Sequence, residues 1–188
     1  MKKIVTLCLC AMLVLGLFGC GKGSLEEGTV YYADIVIADY GTITVKLDQQ
    51  AAPITVENFV NLANQGFYNG LTFHRIIEGF MMQGGASENP PASIVGEFSS
   101  NGYENPLLHT RGAISMARTS VPDSASSQFF IVHQDASHLD GKYACFGYVT
   151  EGIEVVDAVC EAARPTDGNG SIAQKDQPVI TSVTIRTQ

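Results

Sequence analysis

The stretch TFHRIIEGFMMQGG, residues 72 to 85, sets one permanently charged guanidinium, Arg75, among apolar and glycine positions. It contains two short strand candidates, TFHRII and FMMQGG. On the first, alternation places Phe73, Arg75 and Ile77 on one face and His74 and Ile76 on the other, so Arg75 projects beside apolar side chains. Two readings are open at this point. The stem could carry the charge out to solvent or to a carboxylate such as Glu78, or the charge could belong to a site.

The flanking chain supplies the rest of a β-rich domain. VYYADIVIAD from Val30, a turn at Tyr40-Gly41, and TITVKLD with Ile43, Val45 and Leu47 alternating read as a hairpin with one buried face. After Pro53 the period changes. Val56, Phe59, Val60 and Ala63 mark a helix that opens on proline and stops near Gly66. A second helix is predicted from Ile153 to Ala163, with Ile153, Val156, Cys160 and Ala163 as its stripe and Arg164-Pro165 as its end. GAISMA, QFFIV, CFGYV and VITSVTI are further short strands, and many strands with few helices point to a barrel or sandwich. Two long irregular stretches, 86–111 and 118–127, interrupt them, and loops of that length are often functional.

The 188 residues, 45% hydrophobic and 16% charged, suffice for one compact domain with a sizeable core. Lys and Arg number 11 against 19 Asp and Glu, so the positive footprint of a nucleic-acid binder is missing. The N-terminus differs from the rest: Lys2 and Lys3 precede an apolar run from Ile4 to Phe18, the layout of a secretory signal, and fifteen apolar positions fall short of the ~20 needed to span a bilayer. Its end, Leu17-Phe18-Gly19-Cys20, resembles the lipobox of bacterial lipoproteins, with Phe18 an uncommon middle residue. That resemblance implies a signal peptide over 1–19, an acylated Cys20 followed by a polar tether to residue 29, and a domain from 30 to 188 held outside the cytoplasm on a membrane. Cys8 and Cys10 leave with the signal. Cys145 and Cys160 sit in apolar runs and are expected to be free buried thiols.

Other chemistries find little support. Ser126, Ser127, His133, Asp135 and His138 lie close in sequence, but no G-x-S-x-G elbow accompanies them. His133 and His138 have no cysteine pair or H-E-x-x-H to complete a metal shell. Gly84-Gly85 leads to Ala86-Ser87 rather than into a lysine-bearing helix, so a phosphate loop is not expected.

TFHRIIEGFMMQGG closely resembles the signature of cyclophilin-type peptidyl-prolyl cis-trans isomerases, and GAISMAR at 112–118, SSQFFIV at 126–132 and HLDGKYACFGYV at 138–149 agree in order. The likeness spans roughly Val30 to Ile185. It implies a mostly β fold, a closed eight-stranded antiparallel barrel capped by two α-helices. It implies an isomerase of X-Pro bonds in polypeptide clients, needing no cofactor or metal and no nucleic acid; a monomer is expected. The family's catalytic arginine falls on Arg75 and its proline pocket on Phe80, Met81, Phe130 and Leu139. Gln83 and Ala117 fall on the peptide groove, with Gln83 either holding Arg75 or meeting a substrate carbonyl, and Gln128 falls on a nearby polar position. His138 stands where many eukaryotic relatives carry tryptophan and Tyr143 where they carry histidine, departures that bear on cyclosporin affinity more than on catalysis. The alternative is a chaperone or scaffold that grips proline segments, with turnover incidental.

Overall fold

A computed structural model of the chain describes residues 25–188. The predicted signal stretch, Cys20 and the first part of the tether lie outside the described residues. Eight strands follow in sequence: β1 (Tyr31–Ile37), β2 (Gly41–Leu47), β3 (Phe73–Ile77), β4 (Met81–Gly84), β5 (Ala113–Met116), β6 (Phe129–Val132), β7 (Cys145–Glu151) and β8 (Ile180–Thr187). Two helices, α1 (Pro53–Asn64) and α2 (Ile153–Ala162), lie between β2 and β3 and between β7 and β8. Each strand expected from the sequence is present, and both helices start where the change of period places them.

All strand pairs are antiparallel, in the order β3-β4-β6-β5-β7-β2-β1-β8. The sheet curls into a half-barrel and does not close, which corrects the expected closed barrel. The reason lies at the outer edge of β3. There the Ile76 amide donates to the Gly170 carbonyl at 2.8 Å and the Ile172 amide to the His74 carbonyl at 2.9 Å, so a loop from 165 to 172 occupies the edge that closure would give to β8. β8 starts only after Pro178, which has no amide hydrogen to offer. The two edge strands meet only at their starts, around the Thr72–Val179 bridge, where the Phe73 amide donates to the Pro178 carbonyl at 2.9 Å and the Ile180 and Gly70 amides donate to the Leu71 and Ile180 carbonyls at 2.8 Å each.

The alternation of β1 buries Tyr31, Ala33, Ile35 and Ile37, and that of β2 buries Ile43, Val45 and Leu47, on the inner face of the curl. Inside, Phe59 of α1 meets Tyr68, Phe129 and Phe146 at ring separations of 5.1, 5.6 and 5.3 Å, and Phe73 meets Phe129 at 5.9 Å. Of these, the two pairs made by Phe129 are edge-to-face, an arrangement that adds stabilisation beyond the area it buries. Neighbouring residues on β4 and β6 serve opposite faces: Met82, Phe129 and Ile131 belong to this inner core. Met81, Phe130 and Val132 form a smaller apolar cluster with Leu139 and Cys145 on the outer face.

The face assignment on β3 needs a second correction. The register against β4 shifts between Phe73 and Arg75, so His74 is an extra residue. Phe73 and Ile76 are both buried in the inner core, while Arg75 stays with Ile77, which packs against the outer cluster. A bulge re-aims a side chain in this way by breaking the period of two.

Candidate functional site

The register lines up the chemistry. Arg75 on β3 pairs with Gln83 on β4, Gln83 pairs with Phe130 on β6, and Phe130 pairs with Ser115 on β5, giving one cross-strand row on the outer face. Around the middle of that row is a hollow of about 120 Å³ lined by Arg75, Phe80, Met81, Gln83, Ala117, Arg118, Phe130, Leu139 and Tyr143. Eight of the ten site residues expected from sequence therefore converge. Gln128 reaches the rim by accepting from Gln83 Nε2 at 2.9 Å, and His138 reaches it by packing its ring, tilted, against Phe80 with centroids 5.3 Å apart. A larger hollow, about 690 Å³, lies where residues 27–30 pass β2, between Lys46, Asp48 and Tyr148. It includes none of the row.

Arg75 donates from Nε to the Asn169 carbonyl at 2.7 Å and from Nη1 to Gln83 Oε1 at 3.3 Å, with Nη1 4.0 Å from Met81 Sδ. It forms no ion pair among the described residues, Glu78 included. Both oxygens that hold it are neutral, so its position is fixed and its charge is not cancelled. The loop that blocks barrel closure supplies the first of them. Beside the guanidinium, Met81, Phe130 and Leu139 are buried and form an apolar floor. Tyr143 stands edge-on to Phe130 at 5.9 Å.

Two contributors escaped the sequence reading. Arg118 stood at the end of the GAISMAR motif, where only Ala117 drew a role. The other is His109, buried behind Phe130 with the rings stacked at 5.9 Å. Its Nδ1 lies 3.0 Å from Asp140 Oδ1 and its Nε2 3.0 Å from Ser115 Oγ. Burial holds its pKa below the usual histidine value, although Asp140 pulls the other way. Burial by itself would raise Asp140, but the bonds from the His109 backbone and ring outweigh it and hold the carboxyl below its ordinary range.

Ser115, His109 and Asp140 have the contacts of a hydrolytic trio, yet Ser115 is fully buried under Phe130 and no substrate carbonyl can reach it. The hydrolase candidates weighed from sequence do not gather: Ser127 Oγ donates to the Gly85 carbonyl, and His133 accepts from the Gly79 amide and faces Asp157. Cys145 and Cys160 are free, and burial pushes both thiols up to about 12, which keeps them protonated and poorly nucleophilic. What the hollow offers is an apolar seat for a small ring beside a fixed, uncancelled cation.

Residues 32–186 match the family model described as cyclophilin type peptidyl-prolyl cis-trans isomerase/CLD. Peptidyl-prolyl cis-trans isomerase A of Dickeya dadantii is 47% identical over 141 residues, 68% of this chain and 70% of that protein. Peptidyl-prolyl cis-trans isomerase B of Escherichia coli is 38% identical over 156 residues, 78% of this chain and 95% of that protein. Among solved structures, a cyclophilin-type isomerase of Cryptosporidium parvum, crystallised in the presence of the dipeptide Ala-Pro, aligns with a TM-score of 0.71 at 26% identity, covering 84% of this chain and 99% of that one.

Proposed function

Because the chain belongs to the cyclophilin-type peptidyl-prolyl cis-trans isomerases, we propose that it turns X-Pro bonds of polypeptides folding outside the cytoplasm, with Arg75 as the catalytic group and an acylated Cys20 as its membrane tether. The family's reaction breaks no covalent bond of the backbone. Its barrier, ~18–20 kcal/mol, is amide resonance. As the bond twists, the proline nitrogen becomes pyramidal and regains a lone pair that a guanidinium N–H stabilises more strongly than it stabilises the planar amide.

The observation that carries this reading is the Arg75 guanidinium held between the Asn169 carbonyl and Gln83 Oε1 beside the floor of Met81, Phe130 and Leu139. A charge-assisted hydrogen bond contributes ~1.5–3 kcal/mol, and a decade of rate takes ~1.36 kcal/mol, so Arg75 alone supplies about one to two decades. The remainder falls to the apolar seat, which excludes water around the twisting bond and strengthens the field of the cation. Gln83 orients Arg75 on one side and is itself oriented by Gln128 on the other.

Arg75→Ala is expected to lower kcat/KM for a proline-containing test peptide by at least about tenfold, with the circular dichroism spectrum unchanged. Turnover equal to the wild type would sink the assignment. The tether rests on Lys2, Lys3, the apolar run to Phe18 and the Cys20 motif. Incorporation of a labelled fatty acid by the full chain, abolished in Cys20→Ser, is the expected result; equal labelling of both would remove the anchor.

A further inference from the structure

Arg118 lines the same hollow as Arg75, and the mechanism above gives it nothing to do. A guanidinium has five N–H donors. Three are occupied: Nε and Nη2 donate to the Lys142 carbonyl at 3.0 and 2.7 Å, and Nη1 donates to the Thr119 carbonyl at 2.8 Å. The rings of Phe98 and Tyr143 lie 4.9 and 4.6 Å from its Cζ and clamp the plane. Two N–H groups remain, one on each terminal nitrogen.

The charge on this group is conspicuous in its setting. Acidic residues outnumber basic ones 19 to 11, and Arg111 and Arg186 each hold a carboxylate, Asp157 and Asp34 respectively. Arg75 and Arg118, the two arginines of the hollow, form no ion pair among the described residues and are held by neutral oxygens alone. Carbonyl anchors fix a guanidinium without neutralising it, so Arg118 lines the hollow with its positive charge uncancelled and with two N–H groups that no acceptor among the described residues takes. A backbone carbonyl of a substrate would be served as well by a neutral amide. The planar fork with its charge suits a carboxylate.

Resting on the isomerase reading of this hollow, we infer that Arg118 is a specificity residue that selects prolyl segments carrying an aspartate or glutamate beside the proline. Its two free N–H groups receive that carboxylate while Arg75 acts on the prolyl amide. With an apolar seat between two cations, the favoured substrate is an acidic-prolyl segment rather than a basic one.

The test is a protease-free isomerisation assay on the full chain in non-ionic detergent. The peptides carry Glu, Gln or Lys in turn at the positions just before and just after proline. The readout is the ratio of kcat/KM for Glu over Gln at each position, since turnover of the Gln peptides reports the isomerase and the ratio reports Arg118. In about 20 mM salt the wild type is expected to favour Glu over Gln at least about threefold at one of the two positions and to disfavour Lys, with the ratio shrinking at about 500 mM salt. Arg118→Gln should bring the ratio to about one, whatever it does to the Gln peptide, and Arg118→Lys should keep part of it. Equal Glu and Gln rates in the wild type, or an unchanged preference in a folded Arg118→Gln, would overturn the inference; the latter would assign the preference to Arg75. Failure of the wild type to turn over any peptide would instead remove the isomerase reading itself.

Discussion

Glu97 is a buried carboxylate in the long loop before β5, and its two oxygens receive the amides of Ile54 and Thr55 at 3.0 and 2.7 Å. α1 has no capping side chain of its own, since Ala52 stands at the N-cap and Pro53 opens the first turn. A residue more than forty positions away therefore satisfies the open amides and meets the positive end of the helix dipole. Glu97→Ala should lower the unfolding free energy by about 2–3 kcal/mol, read as a fall in urea midpoint at constant m. Nothing in the sequence around Glu97 announces this contact, because a lone acid in a loop reads as solvated. Arg75 drew notice for the opposite reason, since a charge inside an apolar strand demands an explanation, but it took the likeness of the surrounding signature to a known family to choose between a snorkelling side chain and a site. Arg118 drew none, since an arginine at the end of a strand facing a polar loop raises no such question, and only the fold shows its anchors to be carbonyls.

At the scale of elements, the loop over residues 165–172 is built into the site through close backbone approach. Gly170 sits at φ +85°, and an added Cβ would lie 2.5 Å from Ile77 Cγ1 and 2.7 Å from the Ile76 carbonyl. Gly170→Ala should therefore push the loop off β3 and withdraw the Asn169 carbonyl from Arg75. The expected result is a three- to tenfold loss of kcat/KM, about 0.7–1.4 kcal/mol, while α1 and its inner core keep their near-native spectroscopic signature. Unchanged kinetics would mean that the loop does not orient the arginine. Strands and helices themselves were readable from period and punctuation: the alternation of Ile43, Val45 and Leu47, the stripe from Val56 to Ala63 and the stop at Arg164-Pro165 all correspond to observed elements. The bulge at His74 and the open edge of β3 were not. Both depend on which backbone groups a distant loop offers, and hydrophobic periodicity carries no record of that.

The molecule as a whole should be least stable in acid, in two stages. Burial, followed by the charge of Arg75, holds His74 below the ordinary histidine value of 6.5, and burial does the same for His109. The unfolded chain takes up protons there as pH falls below 6.5 while the folded chain resists, so stability present above that value declines from it downward. The Arg111 hydrogen bond holds Asp157 below the ordinary carboxyl value of 3.8, and its contribution is lost as pH falls through the depressed value. Urea midpoints should be level above about pH 7, begin to fall as pH drops through about 6.5, and fall more steeply below about pH 4; His109→Gln should flatten the first decline. A midpoint that rose on going from pH 7 to pH 5 would contradict the assignment. The open edge of β3 has a consequence for how the enzyme fails. The β1–β2–β7 centre is laddered on both sides, whereas the outer edge of β3 from Arg75 onward is tied to a loop, and a short run of bonds to residues 178–180 holds its start at Phe73. Opening of that edge is a local event, less costly than global unfolding, and it disengages the Arg75 anchor. Mild denaturant should thus yield an inactive chain that is still folded, its β3 edge amides exchanging with solvent long before those of β1 and β2.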